Sequence, residues 1–309
     1  MSILSQANRG RIEKPIFALL YAQSKVGKTT FAASSPDPLF LDLEDSSEHL
    51  DVARLGSDKL TTYEQVIGLL QEILKEDKIP YKSIVIDSCD RLELRIHERV
   101  CRDNECHAIE DIGFSKGYIH ALPYWTEILK LLRQIQQKHK VHVILIGHAL
   151  VKKFTDPYKN ESYDRYEIKL HHKAADIVKE SVDMILFMRK DVAIMKEGKG
   201  QGAKTKAFNV DERLMHTQLE PAFDAGSRIA LPSSFEVPEH NGFKVLLDLT
   251  KVAKDLTAAD LYKQCCAAIL NVKDEESRKT IKDYVDKHKN DKGAMQASLE
   301  RIIAKTREH

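Results

Sequence analysis

The feature that most restricts the fold is the run Ala22-Gln-Ser-Lys-Val-Gly-Lys-Thr29, which follows the apolar segment Pro15 to Tyr21. Gly27, Lys28 and Thr29 complete the phosphate-loop pattern G-x-x-x-x-G-K-[ST], with Ala22 in place of the first glycine. Such a loop works between a buried strand and a helix, because its backbone N–H groups must converge on one anion. Pro15 to Tyr21 reads as that strand, and Thr29 to Ser34 opens a helix that Pro36 and Pro38 stop. Ala22, Gln23, Ser24, Lys25, Val26, Gly27, Lys28, Thr29 and Thr30 are then the residues that would hold a nucleoside triphosphate. Lys28 would reach its β- and γ-phosphates, and the Thr29 hydroxyl would take a magnesium position. Ala22 is expected to cost backbone freedom, since a Cβ resists positive φ.

The rest of the chain alternates in the way such a loop requires. Leu39 to Leu43, Ser83 to Asp87 and Val141 to Gly147 are short apolar runs with the length of buried strands. Tyr63 to Lys75 and Tyr124 to His139 between them carry apolar residues at helical spacing. This predicts an α/β fold, a mostly parallel sheet flanked by helices. Met184 to Met195 and Ala207 to Thr217 read as an antiparallel hairpin at the sheet edge, around a turn rich in lysine. From about Thr250 the pattern is helical and charged, so we expect a core over 1–249 and a helical appendage over 250–309.

Three strand ends supply chemistry. Asp87 is placed to hold magnesium through water. Glu44 is the candidate carboxylate for orienting an attacking water, with Asp42 and Asp45 as competitors. His148, after Ile146-Gly147, is placed to contact a γ-phosphate, with a structural histidine as the alternative.

Charge and cysteines exclude some classes. The net charge of +1 does not announce a nucleic-acid partner, so any such contact must be local. No apolar run approaches the roughly 20 residues of a membrane span. Five cysteines without regular spacing read as reduced thiols of a cytoplasmic protein. His97, Cys101, Cys106 and His107 lie close together and are zinc-ligand types, but no Cys-x-x-Cys knuckle accompanies them.

The order of these motifs resembles the RecA-like ATPase core, and more closely the phage ATP-binding proteins of the Sak group of single-strand annealing and recombination proteins. The resemblance rests on Lys25-Val-Gly-Lys-Thr-Thr-Phe-Ala32, Phe40-Leu-Asp-Leu-Glu44, Gly113-Phe-Ser-Lys-Gly-Tyr118, Ile146-Gly-His-Ala149 and Asp183-Met-Ile-Leu-Phe187, within roughly Lys14 to Leu231. It implies a magnesium-dependent ATPase, stimulated by DNA, in the cytoplasm of a bacterial host. Lys28 and Thr29 would match the phosphate and magnesium residues, Glu44 the catalytic glutamate, Asp87 the magnesium aspartate and His148 the γ-phosphate sensor. The segments after Asp87 and His148 would match DNA-facing loops. Single-stranded DNA, further copies of the chain in a filament or ring, and a single-strand-binding protein are the implied partners.

Residue types give DNA contact a footing of its own, since single strands are bound by cations along the backbone and rings under the bases. Lys152, Lys153 and Phe154, then Tyr158, Tyr163, Arg165, Tyr166 and Lys169, interleave both kinds, and Lys116 with Tyr118 adds a pair. Lys204, Lys206 and Arg213 are candidates for a cation reaching across a subunit interface to the phosphates. Rival functions are a motor or loader in replication or packaging, and a scaffold that binds nucleotide without hydrolysing it.

Overall fold

The computed structural model describes residues 14–156, 161–197, 204–255, 258–270, 272, 274–291, 293–295, 298, 299 and 302. The chain divides into two compact units, each discontinuous in sequence. The first comprises residues up to Leu20, Ser35–His148 and Ile168–Asp183; the second takes Tyr21–Ser34, Ala149–Glu167 and the chain from Met184 on.

The first unit is built on parallel strands. Strand β2 (Pro38–Asp42) pairs with β3 (Ala53–Leu55) on one side and β4 (Ser83–Asp87) on the other, and β4 pairs with the start of β5 (His142–Thr155). Strand β1 (Phe17–Ala22) enters this unit beside β5, where the Val143 N–H donates to the Ile16 carbonyl at 2.8 Å. Every residue of β1 and β4 is buried, which is why Phe17–Ala22 and Ile84–Ile86 are continuously apolar instead of alternating. Register sets Asp42 opposite Asp87, and Asp87 opposite Ile146. The carboxyl ends of β2 and β4 therefore finish level, beside Ile146 within β5, and the ends of such strands are where open α/β sheets carry their sites.

Helices close this unit. Helix α2 (Tyr63–Lys75) starts on a reciprocal capping box between Thr62 and Gln65 and buries Val66, Ile67, Leu70 and Ile73. Helix α3 (Cys89–Asp103) is capped by Ser88 directly after β4. Short α4 (Lys116–His120), long α5 (Leu122–His139) and α6 (His172–Ser181) complete it. Asp183, nearly buried, takes Arg133 at 2.9 Å and Lys14 at 2.6 Å, which ties α5 to the chain entering β1.

The second unit begins with the end of β1 and α1 (Lys28–Ala33), a helix of six residues. Its sheet portion is antiparallel: β7 (Met184–Glu197) pairs with β8 (Lys204–His216) and β9 (Gly226–Ser227), and β8 pairs with β10 (Ser234–Glu236). The expected hairpin is therefore present, and 198–203 in its turn lie outside the described residues. Helix α7 (Gly242–Asp255) packs on α1 through Phe243 and Phe31, whose rings are 5.7 Å apart. It runs unbroken through the expected boundary between 249 and 250. Helices α8 (Ala258–Ile269) and α9 (Glu275–Lys287) have a small core of their own from Leu261, Cys265, Ile269, Val285 and Met295. Among the described residues no helix is long and apolar enough to cross a membrane.

One expectation needs correction. Strand β5 does not stop at Gly147; it continues to Thr155 and pairs with β6 (Ser162–Ile168). The stretch read as a polar DNA-contacting loop is thus two strands, and His148 lies within a strand.

A titration follows from the second unit's core. His216 is buried against Phe223, centroids 4.5 Å apart, and its Nε2 accepts from Arg189 Nε at 3.0 Å. Burial, and then the Arg189 charge, push its imidazole down to about 4. In the unfolded chain the same ring titrates near 6.5. Between those values the unfolded chain binds a proton that the folded one lacks, so stability falls as pH drops through this window. Urea denaturation at pH 7 and pH 5 should differ by roughly 2 kcal/mol from this group, and His216→Gln should remove that difference.

Candidate functional site

The phosphate loop is positioned by β1, whose burial fixes where the chain emerges. Ala22 is the last residue of that strand, fully buried, with no positive φ. The expected conformational cost at Ala22 is therefore absent. The left-handed positions are Lys25, at φ 63°, and Gly27, at φ 108°. The φ of Gly27 is the one that favours glycine most, and a Cβ there would also stand 2.5 Å from Arg213 Nη1, the far end of a flexible side chain.

Lys28 is 5% exposed, and its ammonium donates to the carbonyls of Ala22 at 3.3 Å and Gln23 at 3.1 Å. Held this way, the cation faces the inside of its own loop, where a phosphate oxygen could replace the carbonyls. Thr29 and Thr30 follow it half-buried, while Gln23, Ser24 and Lys25 are exposed and Val26 is buried. Lysine, hydroxyl and turned backbone are the donors a triphosphate with magnesium calls for, so these residues fit the group.

In the first unit the strand ends assemble a carboxylate network. Asp42, wholly buried, accepts from the Ser47 N–H at 2.7 Å and the Ser46 N–H at 3.0 Å, which folds the turn carrying Glu44. Of the competitors for the catalytic role, Asp42 is thus the organiser of the turn. Asp45 is bound to Ser57, whose hydrogen bonds hold its carboxyl below the usual range. Asp87 accepts from Ser46 Oγ at 2.8 Å. Glu44 accepts from the Ser88 hydroxyl and has Arg91 Nε at 3.7 Å and His148 Nδ1 at 3.8 Å. Glu44, Asp87 and His148, chosen from sequence as strand-end residues, are brought into one network here.

Asp90 was not foreseen. It lies in the first turn of α3, and its carboxylate takes both the backbone N–H of His148 at 3.2 Å and Nδ1 of the ring at 2.9 Å. Burial pushes the Asp90 carboxyl up, but the bonds to His148 outweigh it and hold it below the usual range. The carboxylate can only accept, so Nδ1 carries the proton and the ring is oriented through it. Among the described residues, Glu44, Asp90 and His148 are also the group with metal-ligand types, their ligand atoms within 4.8 Å of one another. The committed Nδ1 proton and neighbouring Arg91 make it a hydrogen-bonded network.

The other candidates scatter. His97 packs edge-on against Tyr118 and Cys106 Sγ donates to the Cys101 carbonyl at 3.7 Å; with His107 they form no three-ligand cluster among the described residues. Tyr118 stacks on His171 and its hydroxyl bonds Glu110. Lys116 is exposed two positions from Phe114, which is 97% exposed on a turn left-handed at Phe114 and Ser115. In β5 and β6, Lys152 pairs with Glu167 at 3.4 Å, Arg165 is engaged by Asp224 and lies over the Phe154 ring, and Lys153 is exposed. Tyr158 and the side chains of Lys204 and Lys206 lie outside the described residues.

A family model described as an AAA domain matches residues 14–229. The chain belongs to that AAA-domain family. The AAA domain thus covers β1 through β9 and takes in both the phosphate loop and the carboxylate network, while α8 and α9 lie beyond it. No curated protein matches the AAA-domain chain. Among solved structures, one described as the RadB recombinase aligns at 13% identity with a TM-score of 0.37, over 74% of this chain and 90% of that one.

Proposed function

We propose that the chain is a magnesium-dependent ATPase of phage-type DNA recombination, acting on single-stranded DNA as a homo-oligomer in a bacterial cytoplasm. The observation that carries the ATPase reading is the recessed Lys28 ammonium, held on two carbonyls of its own loop. Lys28 would take up the phosphates. Thr29 and Asp87 would hold magnesium, which supplies charge neutralisation at the phosphates. Glu44 would orient and polarise the attacking water, and His148, oriented by Asp90, would sense the terminal phosphate.

The DNA reading is supported by the motif order and by exposed Lys116, Lys153 and Phe114. Cations meet the strand's phosphates and the ring offers a face for a base. A single-strand-binding protein is a fitting partner on the same substrate. The test is ATP hydrolysis with and without single-stranded DNA at low salt, where electrostatic binding is strongest. Stimulation is expected. Hydrolysis indifferent to DNA would return the chain to a motor or loader, and binding without hydrolysis to a nucleotide-dependent scaffold.

A further inference from the structure

Arg213 is one of three candidates, with Lys204 and Lys206, for a cation that reaches across a subunit interface. In the structure it rests on the phosphate loop of its own chain, its Nη1 2.5 Å from the place a Gly27 Cβ would occupy. The backbone that carries it is held firmly. Its carbonyl accepts from the Val237 N–H at 2.7 Å, and β7 and β8 pair it with Lys190. Arg213 is half-buried, and among the described residues its guanidinium pairs with no carboxylate. An unpaired guanidinium beside a phosphate loop offers forked donors that match a phosphate group.

A cavity of about 840 Å³ opens beside it, with Lys25, Gly27 and Lys190 in its wall. Glu212, Glu236 and Glu239 also line this cavity, and all three are exposed. Their charges are screened by water and repel phosphate. That confines an anion to the inner end, where Arg213 meets Gly27.

We propose that Arg213 is a phosphate ligand for the nucleotide bound by its own chain, acting in cis. The guanidinium forks onto phosphate oxygens from the β8 side while Lys28 holds them from within the loop, which couples the β7–β8 hairpin to nucleotide occupancy. This rests on the nucleotide reading of the loop.

Two experiments on the 309-residue chain test it. Arg213→Met keeps the apolar stem over Gly27 and removes the charge, whereas Arg213→Lys keeps a charge. MgATP affinity should fall about 10- to 100-fold in the Met variant and recover in part in the Lys variant. A Met variant that binds MgATP as tightly as the parent overturns the proposal. Mixing Lys28→Ala chains with Arg213→Met chains then separates cis from trans. A cation acting in cis gives no ATPase gain on mixing; a gain above the sum of the separate variants would place Arg213 across an interface and overturn the proposal. If the unsubstituted chain fails to bind MgATP, the nucleotide reading itself falls, whatever Arg213 does.

Discussion

Glu44→Gln should leave MgATP bound and lower its hydrolysis by about 10²- to 10⁴-fold, the range general-base catalysis contributes. The reasoning is local. Gln keeps the length of Glu and an oxygen to accept from Ser88, so the turn after β2 has no cause to move. What it loses is the charge. A water polarised by a carboxylate gives up its proton to it, and an amide oxygen has no comparable basicity. Arg91, 3.7 Å from Glu44, loses its counter-charge, but at that distance and with more than half of its side chain exposed this costs little. Affinity should be preserved, because the proposed phosphate ligands are Lys28, Thr29 and Arg213. Phosphate release under single-turnover conditions, beside a nucleotide titration, measures the two effects separately. Turnover within about fivefold of the parent would take the base role from Glu44 and pass it to the Asp90–His148 pair.

Sequence reasoning reached the parts of this molecule whose signal is local. Helix α2 and strand β4 fall on the residues expected, since an amphipathic repeat and a run of buried β-branched residues need no tertiary information to be seen. Glu44, Asp87 and His148 were proposed by following an apolar run to its polar end, and the structure brings them into one network although His148 lies within β5. Strand β6 was missed because Tyr163, Arg165 and Tyr166 look like loop chemistry until a partner strand is supplied, and Gly147 looked like the end of β5. Alternation in Ser162–Ile168 was the available signal, and burial in that stretch is too partial to make it strong. Asp90 was hidden for a different reason. Its role depends on α3 starting immediately after β4, on the Ser88 cap. Arg213 is one of three candidate phosphate cations with Lys204 and Lys206, and a one-dimensional pattern carries no information on whether a strand returns to its own loop or faces a neighbour.

Asp42→Ala should be the most damaging single change to the first unit, at roughly 3–5 kcal/mol. Unpaired buried donors cost about 1–3 kcal/mol each, and this carboxylate serves several. Asp42 is fully buried; its Oδ2 takes the Ser47 N–H at 2.7 Å and the Ser47 hydroxyl at 2.5 Å, and its Oδ1 takes the Ser46 N–H at 3.0 Å. Ser47 is itself buried, so water does not readily replace the lost acceptor. Asn is a poor rescue, because it presents one oxygen and turns an amide donor toward the other donors. Asp42→Asn should therefore lie between the parent and the Ala variant in urea denaturation. Activity should fall with stability for a structural reason. Ser46 ties this turn to Asp87 at 2.8 Å, and the same turn carries Glu44, so releasing it displaces the proposed base and disturbs the proposed magnesium ligand together. A loss below about 1 kcal/mol would mean that the serines find other acceptors and that Asp42 does not set the turn.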